Sequence, residues 1–387
     1  MLTFAAFTGI NNVLPQHRLS GADLLVARDV DIGLTGEISR RGGYAEVSDQ
    51  CHKNVWQADG FMLATCGAVL TAIHPSGARH VIHPALGHDR VWYCNLPDGR
   101  TTYTNGLIHG VTDGLTNQER SITPPESLGA PGMASGQLDH GQYRYHLTFR
   151  RADGVESAAV SSGPIMVNHG GLRLDGLPVR IGHSLQVYLS GKDGEGAYLA
   201  GETTTDSFEW GGKNRDLVLP CRTLGARPFP VGTYTGFWRG RVLVAQDNVL
   251  WASRANAPHL SDWRDFKQFP SRITAVQPVD DGIYVGTEKD LVFLSGTTWD
   301  QLAFVPTQRG PVVPGSGVTA PGDRVKLGDG SGAGTAMLCI AGGKVVAGFS
   351  GGQTTNLTTE RYRTTAQEVC ATFREVNGIP QYLAIPQ

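Results

Sequence analysis

The stretch Gly240–Gly296, GRVLVAQDNVLWASRANAPHLSDWRDFKQFPSRITAVQPVDDGIYVGTEKDLVFLSG, states one pattern twice. GRVLVAQDNVLWAS (Gly240–Ser253) runs glycine, apolar strand, turn, apolar strand, and DDGIYVGTEKDLVFLSG (Asp280–Gly296) repeats the same course. Like positions recur at about 40 residues, the length of one four-stranded propeller blade. A blade cannot bury both its faces alone, so each must stack on a neighbour and the stack closes into a ring. Four units carry the pattern: Phe237–Ser253, Ile273–Ser295, Ala336–Phe349 and a last one ending GIPQYLAIPQ.

The same grammar precedes this stretch. Phe61–Thr65 and Ala68–Ile73 read as strands punctuated by Gly60 and Gly67. Val91–Asn95 and Thr101–Thr104 flank a turn with Asp98-Gly99, and Asn105-Gly106 comes next; such pairs are the strongest short hairpin signals. Asp29–Ile32 and Ile38–Tyr44 make a further hairpin around Leu34–Gly36. Residues 117–134 are rich in proline and turn residues and read as a linker. Beyond it, Tyr143, Tyr145, Leu147 and Phe149 alternate on one face, then Asp153-Gly154 turns the chain. That strand and the Gly-x-Glu-Ser after it resemble a fibronectin type III β-sandwich. The expected fold is therefore all-β: a β-propeller of about six blades, five to seven being compatible with the length, with an inserted fibronectin-III-like sandwich. The divisions are an N-terminal arm (1–28), a first propeller part (29–125), the sandwich (135–215) and a second propeller part (225–387). The N-terminal strands are expected to join the last blade.

Composition bounds the function. The chain has 387 residues, 51 of them glycine and 21 proline, which fits many turns and leaves little room for long helices. A net charge of −2 without a basic run argues against tracking a nucleic acid. No run of eighteen apolar residues predicts a membrane span. MLTFAAF lacks the basic start of a signal peptide, so synthesis in a cytoplasm is expected. The six cysteines include no C-x-x-C pair and read as buried free thiols.

The N-terminal residues carry a resemblance. Gly9, Asn11, Ala27, Asp29, Val30, Asp31, Gly36, Ile38, Arg40 or Arg41, Gly43 and Tyr44 match, in order, a pattern that opens tailed-bacteriophage virion proteins. Gly240–Ser253 is similar to their recurrent blade. The chain resembles the β-propeller tail hub or stopper proteins of short-tailed phages and related tail proteins of long-tailed phages. The resemblance implies a non-enzymatic structural role in the virion, at the head–tail junction or the tip. It implies partners among other tail proteins and copies of the same chain, with a tail fibre or a host glycan as further possibilities, and no cofactor. Candidate partner-binding residues are Ile10, Asn11 and Asn12 in the arm. Trp238, Arg239, Trp263 and Arg264 join them, since tryptophan and arginine concentrate in interface hot spots.

Several patterns touch chemistry without completing it. Gly348-Phe349-Ser350-Gly351-Gly352 fits G-x-S-x-G, but QTTNLTTERYR (Gln353–Arg363) lacks the periodicity of the helix that a nucleophile elbow needs, and no histidine lies beyond it. DGSGAGT (Asp329–Thr335) lacks the lysine of a phosphate loop. His74, His80 and His83, with His88 nearby, form a weak candidate metal set, and turn histidines are the plainer reading. SGTTWDQ (Ser295–Gln301) keeps half of a sialidase-type box, with Val292 and Leu294 where serine and aspartate belong. The aspartate pairs Asp280/Asp281 and Asp262/Asp265 are the carboxylates a propeller glycosidase would use. Trp251 and Trp299 are expected in blade cores.

Overall fold

The computed structural model describes every residue except 1–5, 34, 44, 47, 328, 329, 359 and 377. Tyr44 of the N-terminal motif, Leu34 of the first hairpin turn and Asp329 of the glycine-rich loop lie outside the described residues. Regular structure among the described residues is β-strand with short 3-10 turns. No helix is long and apolar enough to cross a membrane.

Among the described residues six sheets have four antiparallel strands, and five of them, A to E, follow the same course along the chain. Sheet A holds Lys53–Gln57, Met62–Cys66, Val69–Ile73 and Arg79–His83. Sheet B holds Trp92–Asn95, Thr101–Thr104, His109–Thr112 and Asn117–Gln118. Sheet C holds Thr233–Trp238, Arg241–Gln246, Val249–Ala252 and Phe266–Gln268. Sheet D holds Ile273–Val279, Gly282–Thr287, Leu291–Ser295 and Ala303–Pro306. Sheet E holds Val318–Pro321, Thr335–Ala341, Lys344–Gly348 and Thr354–Asn356. Sheet F has two strands, Val369–Val376 and Ile379–Pro386.

The period of two in each strand explains the stacking. In sheet C, Val242 and Val244 enter a core shared with Leu96 and Val111 of sheet B. Leu243 and Ala245, one residue out of phase, enter the core shared with sheet D. In sheet D, Ile283 and Val285 face C while Tyr284 faces E. Each strand thus feeds two cores, and this is why its sequence is apolar at consecutive positions rather than alternating. Each such side chain contributes about 1.5–3 kcal/mol when fully buried. Further clusters fill the A/B and E/F faces. The result is the blade order of a β-propeller, and the stack turns back on itself. Arg90, in the connection from A to B, pairs at 2.9 Å with Glu368, which leads into F.

Tyr284 shows how tightly two blades are joined. Its hydroxyl donates to the carbonyls of Phe349 (2.7 Å) and Gln353 (3.0 Å). A Cβ at Gly348 would lie 2.5 Å from its ring, so only glycine lets the tyrosine cross there.

Between B and C the chain leaves for a separate body with its own core. One sheet holds Ala130–Leu138, Gly170–Asp175 and Ser207–Trp210, and another holds Val160–Ser161, Tyr145–Arg151, His183–Ser190 and Ala197–Thr203. Tyr143, Tyr145, Leu147 and Phe149 all enter that core, as their alternation predicts.

Three expectations are corrected. Residues 117–134 are not all linker: Asn117–Gln118 is the fourth strand of B, and Ala130–Leu138 is a nine-residue strand. Pro131 lies in an edge strand, where a missing N–H disrupts little. The N-terminal strands do not join the last blade. Gly9–Ile10 pairs parallel with Asp23–Leu24, and Val30–Ile32 pairs with Ile38–Arg40 as an isolated hairpin, here the arm hairpin. Finally, Cys94, Cys221 and Cys339 are buried, but Cys51 and Cys370 are exposed. Burial pushes the Cys94 and Cys339 thiols up to about 12, which leaves them inert.

Candidate interaction surface

Sheet C presents an aromatic and cationic group built by a rigid loop. The loop runs from Asp262 to Asp265, ahead of the edge strand Phe266–Gln268. Arg254 grips Asp262 through Nε (2.8 Å) and Nη2 (2.5 Å), and its Nη1 donates to the carbonyl of Arg222 at 2.7 Å. Arg241 clamps the buried Asp265 at 2.8 Å. Burial raises the Asp265 carboxyl above its ordinary range even with Arg241 opposing the shift. The Asp265 amide also donates to the Asp262 carbonyl at 3.1 Å. With both ends fixed, the two residues between are turned outward. Trp263 is 61% exposed, and the Arg264 guanidinium lies 4.3 Å from its ring centroid.

Phe266, also exposed, packs against Trp251 at 5.2 Å, and Arg227 covers Trp251 at 5.4 Å. Among the described residues no carboxylate pairs with Arg227 or Arg264, whereas Asp262 and Asp265 are both paired to other arginines. The surface therefore offers aromatic faces with cations left available. Sequence reasoning missed Arg227 and Phe266. Arg227 falls in a turn-rich segment, and nothing local marks Phe266 as the exposed member of its strand.

Trp238 sits differently. It is 3% exposed, packed between C and D, and its Nε1 donates to the Val279 carbonyl at 3.1 Å. This burial overrules the expectation that Trp238 contacts a partner. Arg239 is exposed, yet it donates to the carbonyls of Asp280 (2.9 and 3.2 Å) and Thr297 (3.2 Å). Trp299 is buried in the same core, as expected, while Trp251 is only partly buried.

The arm residues are used within the chain. Asn11 is buried and its Oδ1 accepts from the amides of Val13 and Leu14. Asn12 donates from Nδ2 to the Arg363 carbonyl (2.7 Å) and accepts from the Arg363 amide (2.9 Å). Ile10 lines a shallow pocket with Thr8, Ile32, Leu357 and Tyr362. Around these anchors Leu14, Leu25, Val26 and Ile38 remain exposed.

The chemical candidates are not gathered into a site. His74 contacts the Gly114 carbonyl at 3.0 Å and His80 edge-on, while His83 Nδ1 accepts from the Ala85 amide. No group of three His, Cys, Asp or Glu among the described residues is placed to hold a metal. Ser350 begins a three-residue 3-10 turn that leads to strand Thr354–Asn356, so no helix succeeds it. Asp280 accepts from the amide and hydroxyl of Thr335, and Asp281 from the Gly351 amide, all three bonds joining D to E.

No family model and no curated protein matches the chain. Solved structures similar in shape include the Dos1 propeller, at 9% identity and TM-score 0.34, covering 91% of this chain and 80% of that one. The computationally designed Ika8 protein is similar at 10% identity and TM-score 0.27, covering 87% of this chain and 97% of its own. BBS1N, solved in complex with ARL6DN, is similar at 11% identity and TM-score 0.32, covering 87% and 89%. At such scores the fold rests on the chain's own sheet order.

Proposed function

We propose that this chain is a non-enzymatic structural component of a tailed-bacteriophage tail, holding neighbouring tail proteins and further copies of itself. One observation carries the reading. Among the described residues, the N-terminal segment that bears the virion-protein motif contributes none to the buried hydrophobic clusters, yet leaves Leu14, Leu25, Val26 and Ile38 in solvent. A segment of that kind gains its order by lying on a neighbour. The propeller supplies a stiff base with short edges, suited to repeated packing. The body at residues 130–210 serves as a fibronectin-III-like lateral contact.

Cryo-EM of the virion that carries this chain tests the proposal. Density for the propeller at the head–tail junction or the tail tip, with the arm against a neighbour, is expected. Absence of the chain from the particle overturns the proposal.

The exposed Trp263, Arg264 and Phe266 favour a second reading, a receptor- or carbohydrate-binding module at the tail tip. Glycan binding lost in Trp263→Ala would carry it. A propeller glycosidase is the weakest reading, because Asp262, Asp265, Asp280 and Asp281 all bind the chain's own donors.

A further inference from the structure

The chain leaves sheet B for the inserted body at Arg120 and comes back toward sheet C through Phe229 and Pro230. The two passages are fastened to each other there. Arg120 donates from Nη2 to the Pro230 carbonyl at 2.7 Å, and its guanidinium lies 4.8 Å from the centroid of the Phe229 ring. Ser121 Oγ donates to the Phe229 carbonyl at 3.1 Å. This crossing is the neck of the inserted body, and Arg120 at its centre is only 2% exposed.

A guanidinium so deeply placed calls for an opposite charge, because an uncompensated buried ion is costly. Among the described residues no carboxylate pairs with Arg120. Glu119, its neighbour in the chain, lies on the alternate face and pairs with Arg180 at 2.8 Å. The ionisable groups that act on Arg120 or feel its charge are Cys94 and His109, both of sheet B. Neither is an anion. Burial holds the Cys94 thiol protonated. Burial first, and the Arg120 charge second, hold the His109 imidazole down to about 3, so it is neutral. Burial also pulls Arg120 down to about 9, which leaves it cationic at neutral pH. What the chain itself offers the charge is a carbonyl, the Thr102 hydroxyl at 3.4 Å and an aromatic face.

Register brings further polar groups to the same face. Thr104 opposes Trp92 on one side and His109 on the other. Val111 opposes Gln118, so two residues further along His109 falls beside Arg120. Val111 and Leu96 turn toward sheet C, and Trp92, His109 and Arg120 share that face by the period of two. Trp92 Nε1, His109 Nδ1 and Arg120 Nε are all buried, and among the described residues none of the three has a partner. The indole and guanidinium nitrogens can only donate, and the imidazole nitrogen donates in one tautomer. A group that satisfies them must accept, and one that also balances Arg120 must be negative.

We propose that a small monovalent anion of the chloride class binds between sheets B and C against Arg120, draws on the buried N–H groups of His109 and Trp92, and locks the neck of the inserted body. A single atom suits the space between two packed sheet faces. Water accepts the same bonds but brings no charge. The site belongs to the blades and the neck, so it stands apart from the virion reading.

Two measurements on the full chain test it. In the first, chloride replaces gluconate at constant ionic strength while thermal unfolding is followed. The melting temperature is expected to rise by several degrees and to saturate as for one site, with bromide acting alike. Arg120→Met should abolish that rise. A flat response, a rise that does not saturate, or an equal rise in Arg120→Met overturns the proposal. The second measurement needs no variant and so survives a failure of Arg120→Met to fold. Crystals of the unmodified chain soaked in bromide should show an anomalous peak beside Arg120 Nε, between sheets B and C. Water alone at that point, or bromide bound only at the surface, overturns the proposal whatever the melting shows.

Discussion

The chain contains the dipeptide Trp-Arg at 238–239 and again at 263–264, and in both the guanidinium covers its own tryptophan ring, at 5.6 and 4.3 Å. The environments are opposite. Trp238 ends the first strand of sheet C, opposite Arg241, across a two-residue turn in which Arg239 (φ 46°) and Gly240 (φ 82°) are both left-handed. That geometry suits the right-handed twist of a hairpin, and the register of the strand drives the indole into the C/D core. Trp263 lies on a loop whose flanking aspartates are both clamped, so its indole faces the Arg264 guanidinium and solvent. Local sequence is the same; register and anchorage decide burial. One tryptophan stabilises the ring, and the other is left available to a neighbour.

The contrast is broken most severely by Trp238→Ala. Truncating a buried aromatic costs about 3–5 kcal/mol, and here the Val279 carbonyl also loses its donor. Chemical denaturation should show a loss of that size. A change below about 1 kcal/mol would mean that the two tryptophans are energetically alike.

Acid should sharpen the contrast next. His259 leads into the strand that precedes the Trp263 loop. Burial first, and Arg151 second, hold its imidazole down to about 4 from an ordinary 6.5. The unfolded chain therefore takes up this proton between pH 6.5 and 4 while the folded chain does not. Stability falls as pH drops through that window, by about 2–3 kcal/mol for this group. His259→Gln should flatten the stability–pH curve between pH 6.5 and 4. An unchanged slope would show that the group does not stay neutral in the folded chain.

Much of the fold was legible in residues 240–296 because each strand there feeds two cores. Val242 with Val244, and Leu243 with Ala245, leave consecutive apolar letters that only a sandwiched sheet explains. The turn pair Asp98-Gly99 was equally plain. Other parts were hidden for physical reasons. Pro131 concealed a strand because edge position, which a sequence does not display, is what makes proline tolerable. The bond between Asn12 and Arg363 spans most of the chain, so no local window contains it. Of the four candidates in sheet C, sequence could name the tryptophans and arginines by type. It could not see that Arg254 and Arg241 fix the Trp263 loop, or that Trp238 meets Val279.

Arg239→Ala probes the middle of the scale. Arg239 is exposed like Arg264, but it binds two carbonyls at one end of sheet D, Asp280 in its first turn and Thr297 after its third strand. Losing those bonds should cost about 1–2 kcal/mol, less than a buried network because water replaces the donor. Arg264→Ala should stay within about 0.5 kcal/mol. Equal effects in thermal unfolding would show that the bonds to Asp280 and Thr297 do not join C to D.

The smallest expected effect on stability belongs to Trp263→Ala. The indole packs against Arg264 and solvent, so its removal opens no cavity and strands no buried partner. Thermal unfolding should move by no more than about 0.5 kcal/mol. Binding should respond in the opposite sense. If the surface is a hot spot, removing a tryptophan at its centre weakens capture of a partner by about 2 kcal/mol or more, roughly thirtyfold. Affinity and melting must be measured on the same preparation, because only their divergence is informative. A variant that melts normally and binds normally removes Trp263 from the interface, while one that melts early shows that the loop carries core energy. In either case, the division of labour between the two tryptophans fails at this residue first.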